Sequence, residues 1–256
     1  MSQTATLSAP GPVRTEEFDI VIVGAGISGV GAAYHLQDQC PGKSFVVLEN
    51  MDGFGGTWKF HTYPGVRSDS DLYTFGYRFK PWTNAPIASA EEILKYMGEV
   101  IDENGLDQYI RYSHHVDGAD WNDADRRWTV EATDKNTGEQ FRIRCNFLWM
   151  CQGYYRFDKG YTPEWPNMDT YKGQLIHPME WNDDIDYKGK KVLCIGSGAT
   201  TATVVPAIAA DCDHVTVLQR SPTYFWTGRN ANELADTLRE IDIDEAWIHE
   251  IVRKKI

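Results

Sequence analysis

The sequence has no CxxC pair, no apolar run long enough to cross a bilayer and no excess of positive charge. Each absence removes a class of function. Its five cysteines (Cys40, Cys145, Cys151, Cys194, Cys212) are odd in number and scattered, several of them in or beside apolar runs. That pattern suits buried thiols in a reducing cytoplasm better than disulfides or metal ligands. The formal charge of −12, from 25 Lys and Arg against 37 Asp and Glu, argues against nucleic acid and anionic membrane surfaces as partners. The missing apolar run argues against a membrane-spanning helix. Residues 1–17 lack the basic-then-apolar layout of a signal peptide and are expected to form a disordered tail. His114-His115 near Asp117 is not expected to hold a metal, because adjacent residues of a strand point to opposite faces. What the chain does have is a heavy aromatic load, 9 Trp and 13 Tyr, which suits enclosure of a flat cofactor.

The organising stretch is Phe18-Asp-Ile-Val-Ile-Val-Gly-Ala-Gly-Ile-Ser-Gly29. Ile20–Val23 reads as a parallel strand buried on both faces, and Val30–Gln37 reads as a helix. Between them stands Gly24-x-Gly26-x-x-Gly29. Gly24 allows a tight turn, Gly26 lets the backbone approach a pyrophosphate, and Gly29 lets the helix pack close to the strand. The helix N-terminus then offers N–H groups to phosphates. A second strand, Ser44–Leu48, ends on Glu49, whose carboxylate suits a ribose 2′-hydroxyl and repels a 2′-phosphate. The stretch reads as a dinucleotide site for FAD or NAD.

Gly53-Phe-Gly-Gly-Thr57-Trp58 and residues 60–85 carry no regular periodicity, and long irregular segments in compact domains are usually functional. Ser89-Ala-Glu-Glu92 is a capping box opening a helix to about Asn104. Strand-like runs near 110–112, 128–132 and 141–143 suggest a small antiparallel meander between parallel strands, followed by a buried strand at Phe147–Cys151. Pro163 and Pro166 then mark a linker.

The opening pattern then repeats. Lys191–Ile195 is a strand, Gly196-Ser-Gly198-Ala-Thr-Thr201 a turn, Ala202–Ala210 a helix and Val215–Leu218 a second strand. Thr201 stands where a third glycine would be, and the strand now ends on Gln219-Arg220. A guanidinium there can pair bidentately with a 2′-phosphate. Two sites of opposite electrostatic preference suggest FAD first and NADPH second.

Between the two units lies Tyr171-x-Gly173-x-x-x-His177-x-x-x-Trp181. It resembles the fingerprint of the Baeyer–Villiger monooxygenases, with Tyr171 in place of Phe and Asn182 in place of the final Pro or Asp. Tyr63-Pro-Gly-Val-Arg-Ser-Asp69 through Trp82, Gly-Ser-Gly-Ala-Thr200 and Leu-Gln-Arg-Ser-Pro-Thr-Tyr224 are similar to the ethionamide-activating subgroup of that family. The resemblance spans about residues 17–230 and implies an NADPH- and O₂-dependent flavoprotein. Its chemistry would be reduction of FAD by NADPH, formation of a C4a-peroxyflavin, and conversion of a ketone to an ester or lactone, with sulfides as further substrates. By that resemblance Gly24, Gly26, Ser28, Gly29 and Glu49 would hold the FAD pyrophosphate and ribose. Thr57 and Trp58 would approach the flavin, and Val116 would meet the adenine through its backbone. Arg67, Ser68 and Asp69 would lie between flavin and nicotinamide, with Arg67 and Asp69 the catalytic candidates. Gly196, Ser197, Gly198, Ala199, Thr200, Thr201, Ala202, Gln219 and Arg220 would hold NADPH, and His177 and Trp181 belong to the linker.

The fold expected is α/β: two Rossmann-like dinucleotide-binding domains, each incomplete, with the antiparallel meander inserted in the first. The divisions are 1–17 tail, 18–160 FAD-binding, 161–188 linker, 189–230 NADPH-binding and 231–256 the start of a helical insertion. The family's catalytic arginine and the closing strands of both domains come from a later segment. A complementary C-terminal segment or chain is therefore an expected partner, beside a small-molecule ketone or sulfide and O₂. An N- or S-oxygenating monooxygenase and an inert nucleotide-binding half are the alternatives.

Overall fold

The computed structural model describes residues 13–225 and 227–255. By contact the chain divides into two compact units: residues up to Gly56 together with Ile101–Gly153, and Thr57–Val100 together with Tyr154 onward. Residues 57–100, assigned above to the FAD-binding domain, thus fall in the second unit.

The first unit is built on one six-stranded sheet. Its elements are β1 (Arg14–Val23), α1 (Ile27–Gln39), β2 (Phe45–Leu48), β3 (Ile110–Arg111), β4 (His114–Asn122), β5 (Arg127–Asp134) and β6 (Gln140–Met150). The strand order is β3-β2-β1-β6-β5-β4. β1 pairs in parallel with β2 (Ile20 opposite Phe45) and with β6 (Arg14 opposite Phe141, Val23 opposite Met150). β4, β5 and β6 form the antiparallel meander, with a bulge between Val116 and Gly118. The turns between them follow local chemistry. Asn122 Oδ1 accepts the Ala124 N–H, and Asp134 Oδ1 accepts the Asn136 N–H ahead of Gly138 at φ +74°. Val21, Val23, Val46 and Leu48 pack with Val130, Phe141 and Ile143 as one core, so the parallel and antiparallel parts share an interior.

Four expectations need correction here. Residues 14–17, expected in the tail, are the first part of β1 and pair with β6; residues 1–12 lie outside the described residues. The run at 110–112 is not meander: β3 pairs in parallel with β2. The runs at 141–143 and 147–151 are one strand, β6, which serves β5 with its first half and β1 along its length. That strand's end is not buried within the described residues: Phe147 is 56% exposed and Met150 51%.

The second unit contains α2 (Thr57–Phe60), α3 (Leu72–Phe75), α4 (Ala90–Glu103, whose last residues re-enter the first unit), β7 (Lys191–Ile195), α5 (Ala199–Ile208), β8 (His214–Leu218), α6 (Glu233–Glu240) and α7 (Glu245–Lys255). The α4 capping box is formed: Ser89 Oγ accepts the Glu92 N–H at 3.2 Å and Glu92 Oε2 accepts the Ser89 N–H at 2.8 Å. β7 and β8 pair in parallel, Lys191 opposite His214, which completes the second strand–helix–strand unit. Its core joins Tyr63, Val204 and Ile208, flanked by Val66, Trp181 and Val215. The two C-terminal helices are fastened to α3. Arg253 donates to the carbonyls of Tyr73, Thr74 and Gly76, and Arg239 pairs with both oxygens of Glu245 while donating to the Tyr73 hydroxyl.

Candidate functional site: two glycine turns and the Asp69 loop

In the first unit the turn after β1 requires its glycines for different reasons. Gly24 is at φ +101°, and a Cβ there would lie 2.7 Å from the Cys151 carbonyl oxygen. A Cβ on Gly29 would lie 1.8 Å from the Gly24 oxygen, so α1 cannot pack on the turn with any other residue. Gly26 is different. A Cβ there would meet only Gly56 Cα, at 3.7 Å, an ordinary contact. Gly26 also N-caps α1 in an extended conformation with no side-chain cap. Space above it is therefore available to a pyrophosphate facing a helix N-terminus. Ser28 stands exposed in the first helical turn.

Glu49 is 5% exposed, and both its oxygens are engaged by backbone. Oε2 accepts the Ala25 N–H at 2.6 Å and Oε1 accepts the Met51 N–H at 2.8 Å. The acid thus ties the glycine turn to the end of β2, and each oxygen keeps a second lone pair for a ribose hydroxyl. The backbone of Glu49 also accepts the His114 N–H and donates to the Arg111 carbonyl, which brings the strand of Val116 alongside. Gly55 donates its N–H to Ala25 O at 3.0 Å, and Gly56 lies against Gly26. Sequence reasoning treated these two glycines only as irregular loop. Their tell was a glycine pair shortly after the acid that ends the second strand.

In the second unit the turn after β7 is looser. Gly196 is at φ +125° and donates to Leu218 O at 2.8 Å. A Cβ on Gly196 would find Thr201 Oγ1 at 3.6 Å, which is why threonine fits where the first turn demands glycine. Gly198 caps α5 without a side-chain bond and faces open space; Ala199, Thr200 and Thr201 form the first turn, with Ala202 bonded back to Gly198 O. Ser197 Oγ lies 2.5 Å from Thr223 Oγ1, and Gln219 Oε1 accepts the Thr223 N–H at 3.4 Å. Arg220 is exposed just past the end of β8, next in sequence to Gln219.

The Tyr63–Asp69 loop belongs to the same unit as α5. Ser68 is buried, its N–H bonded to Ala88 O and its hydroxyl exchanging bonds with Ser70. Arg67, bridged to Ser89, lines an open cavity of about 340 Å³ with Gly65, Val66, Ile87, Glu91 and Asn230. Asp69 is exposed, and its charge reaches the phenols of Tyr63 and Tyr155. Burial pushes the Tyr63 hydroxyl above its ordinary range. The hydrogen bond to Tyr154, then burial, lift Tyr155 to about 12. Neither tyrosine had been singled out for this role. Thr57 and Trp58 open α2, Trp58 edge-on to Phe75 at 6.1 Å.

Of the fingerprint, Trp181 packs into the second core and its carbonyl accepts the Thr62 hydroxyl at 2.8 Å. His177 Nδ1 accepts the Met179 N–H at 3.2 Å, and its ring lies so close to Gly160 that a Cβ there would be 2.1 Å away. Buried His61, stacked edge-on to Tyr155, is held below its usual pKa by burial and by neighbouring His177. His115 Nε2 is 3.9 Å from Asp117, and among the described residues no group of three or more His, Cys, Asp or Glu is placed to hold a metal ion.

Comparison with known proteins places the chain among similar sequences and folds. Residues 22–83 match the NAD(P)-binding Rossmann-like domain family. The chain is 55% identical over 212 residues to the FAD-containing monooxygenase EthA of Mycolicibacterium smegmatis, covering 82% of this chain and 43% of that protein. It is 40% identical over 245 residues to the putative FAD-containing monooxygenase MymA of Mycobacterium tuberculosis, covering 94% of this chain and 49% of that one. Among solved structures, NADP-bound oxidized steroid monooxygenase matches at 31% identity and TM-score 0.68, over 81% of this chain and 40% of that one. Cyclohexanone-bound cyclohexanone monooxygenase matches at 28% and 0.68, over 82% and 40%. The chain spans about half the length of the curated relatives it matches. Over that half it is similar to FAD-containing monooxygenases, and among solved structures to cyclohexanone and steroid monooxygenases.

Proposed function

We propose that the chain supplies the FAD- and NADPH-binding portions of a Baeyer–Villiger-type flavoprotein monooxygenase acting on a ketone, and on sulfides as a second substrate class. The observation that carries this reading is the pair of open glycine turns with opposite second-strand termini. A buried carboxylate, Glu49, stands at the first and an exposed guanidinium, Arg220, at the second. FAD, when bound, supplies the redox chemistry, taking electrons from NADPH and activating O₂. The residues bind and orient. Gly24, Gly26 and Gly29 admit the pyrophosphate to the N-terminus of α1. Glu49, through its spare lone pairs, and the backbone near Val116 hold the adenosine. Gly196–Ala202 with Gln219 and Arg220 take the second dinucleotide. Arg67 and Asp69 bring one charge of each sign to the reaction side, with Thr57 and Trp58 near the flavin.

In this reading residues 18–160 and 189–230 carry the two binding domains, 161–188 joins them, and 231–256 opens a helical insertion. A complementary C-terminal segment or chain completes the enzyme. Its need is supported by apolar side chains left open on both sheets, Phe147 and Met150 on β6, and Leu193 and Leu218 on β7 and β8. Five unpaired cysteines go with a cytoplasmic location.

The test is to purify the chain alone and with the remaining segment of a relative co-expressed, then to measure bound FAD and NADPH-dependent ketone oxidation. Activity only in the combined sample is expected. Full turnover by the chain alone would refute the need for a partner, and colourless, inert protein in both samples would leave only a nucleotide-binding remnant. Arg220→Ala should weaken NADP⁺ by roughly ten- to hundredfold while leaving NAD⁺ little changed. Equal loss for both would remove Arg220 from the 2′-phosphate.

A further inference from the structure

The second candidate site is built from two arms, the glycine turn after β7 and the segment 219–223 after β8. Ile195 lies opposite Leu218 in the β7–β8 register, so Gly196 and Gln219 leave the sheet at the same end. The arms are held unequally. The glycine arm is fixed by its own backbone: Gly196 donates to Leu218 O at 2.8 Å, and Ala202 donates to Gly198 O at 3.0 Å. The arm that carries Arg220 is not. Pro222 has no N–H to give, and among the described residues both bonds that hold 219–223 run through Thr223. The Thr223 N–H donates to Gln219 Oε1 at 3.4 Å, which closes a loop containing Arg220. The Thr223 hydroxyl lies 2.5 Å from Ser197 Oγ, which ties that loop to the glycine arm.

We propose that Thr223 is a positioning residue that sets a preference for NADP over NAD by holding the Arg220 arm against the glycine turn. The proposal rests on the reading of that turn as the NADP site. Thr223 lies outside the residues expected to hold the dinucleotide, and it acts through Arg220. A guanidinium on a free loop must order that loop when it pairs with a 2′-phosphate. A loop already tied to the turn has lost that freedom beforehand. The pyrophosphate, common to both cofactors, meets the glycine arm, whose backbone bonds do not involve Thr223. The tie therefore favours the cofactor that carries the extra phosphate. Losing one neutral hydrogen bond should weaken NADP⁺ by about two- to tenfold.

The test is calorimetric binding of NADP⁺ and NAD⁺ to the whole chain, for the parent, Thr223→Val, Thr223→Ser, Arg220→Ala and the Thr223→Val, Arg220→Ala double variant. In Thr223→Val, NADP⁺ should weaken by about two- to tenfold and NAD⁺ by less than about twofold. Thr223→Ser keeps the hydroxyl and should keep the preference. In the Arg220→Ala background, Thr223→Val should add less than about twofold, because no guanidinium is left to position. A threonine that only stabilised the fold would lower the melting temperature and weaken both cofactors alike. Ser197→Ala breaks the same bond from the other side, should lower the preference equally, and serves if Thr223→Val does not fold. Where Arg220→Ala lowers the preference, three results overturn the positioning role alone: an unchanged preference in Thr223→Val, equal loss for both cofactors, or full additivity in the double variant. No NADP⁺ binding by the parent, or an Arg220→Ala variant with unchanged preference, overturns the NADP reading and the positioning role with it.

Discussion

Replacing Glu49 is the sharpest test of how the first turn is held. Its carboxylate accepts two backbone N–H groups, from Ala25 at 2.6 Å and Met51 at 2.8 Å, in a site where the side chain is only 5% exposed. Hydrogen bonds to a charged acceptor contribute about 1.5–3 kcal/mol each, and a buried donor left without a partner carries its own desolvation cost. Glu49→Ala removes both bonds together. Some water will enter the vacated space, so the loss should be about 3 kcal/mol rather than the full sum. At roughly 2–4 °C per kcal/mol for a chain of this size, the melting temperature should fall by about 6–12 °C. Glu49→Gln keeps one acceptor but turns an amide nitrogen toward the other N–H, so roughly half that loss is expected. The assays are urea unfolding of each variant and hydrogen exchange at the Ala25 amide, which should accelerate in both. FAD retention should fall in parallel, because the turn that receives the pyrophosphate is no longer held. An Ala variant within about 0.5 kcal/mol of the parent would show that the carboxylate does not hold the turn.

Gly29→Ala and Gly26→Ala should separate fold from ligand. The first places a methyl 1.8 Å from Gly24 O and should unfold the turn, whereas the second meets only Gly56 at 3.7 Å and should lose FAD with stability kept; near-identical melting temperatures for the two would refute this. Arg239→Ala breaks the Glu245 pair and leaves the Tyr73 hydroxyl without its donor. The pair is partly exposed, so about 1 kcal/mol is expected, read by thermal unfolding with and without 0.5 M salt as a screen. Stability should also fall with acid. His249 is buried with neither ring nitrogen hydrogen-bonded, and burial, then Arg253, hold its pKa below 6.5; His61 is depressed by burial and His177. Both bind fewer protons folded than unfolded, so their contribution is present above about pH 6.5 and lost below it. His249→Leu should flatten the melting profile between about pH 7 and 5, and an unchanged slope would count against it.

What the sequence determined by itself is local. The strand, three glycines and helix at residues 20–37 could be read because each glycine answers a steric demand within a few residues of itself, and the structure returns those demands as Gly24 at φ +101° and the Gly29 contact with Gly24 O. The second strand–turn–helix at 191–218 and the capping box at Ser89 were legible for the same reason. What only the tertiary structure decided is pairing across distance. Nothing in the run 141–150 tells that one strand serves an antiparallel neighbour and a parallel one, since alternation encodes which face is buried and not which strand lies beside it. Glu49 was legible as an acid at a strand end, but its grip on Ala25 depends on where the chain folds back. Likewise the packing of Tyr63 and Gly65 on α5 joins residues far apart in sequence, and the placement of 57–100 with the second unit follows from such contacts. Local sterics are written residue by residue, whereas hydrogen-bond partners for buried polar groups are chosen by the fold as a whole.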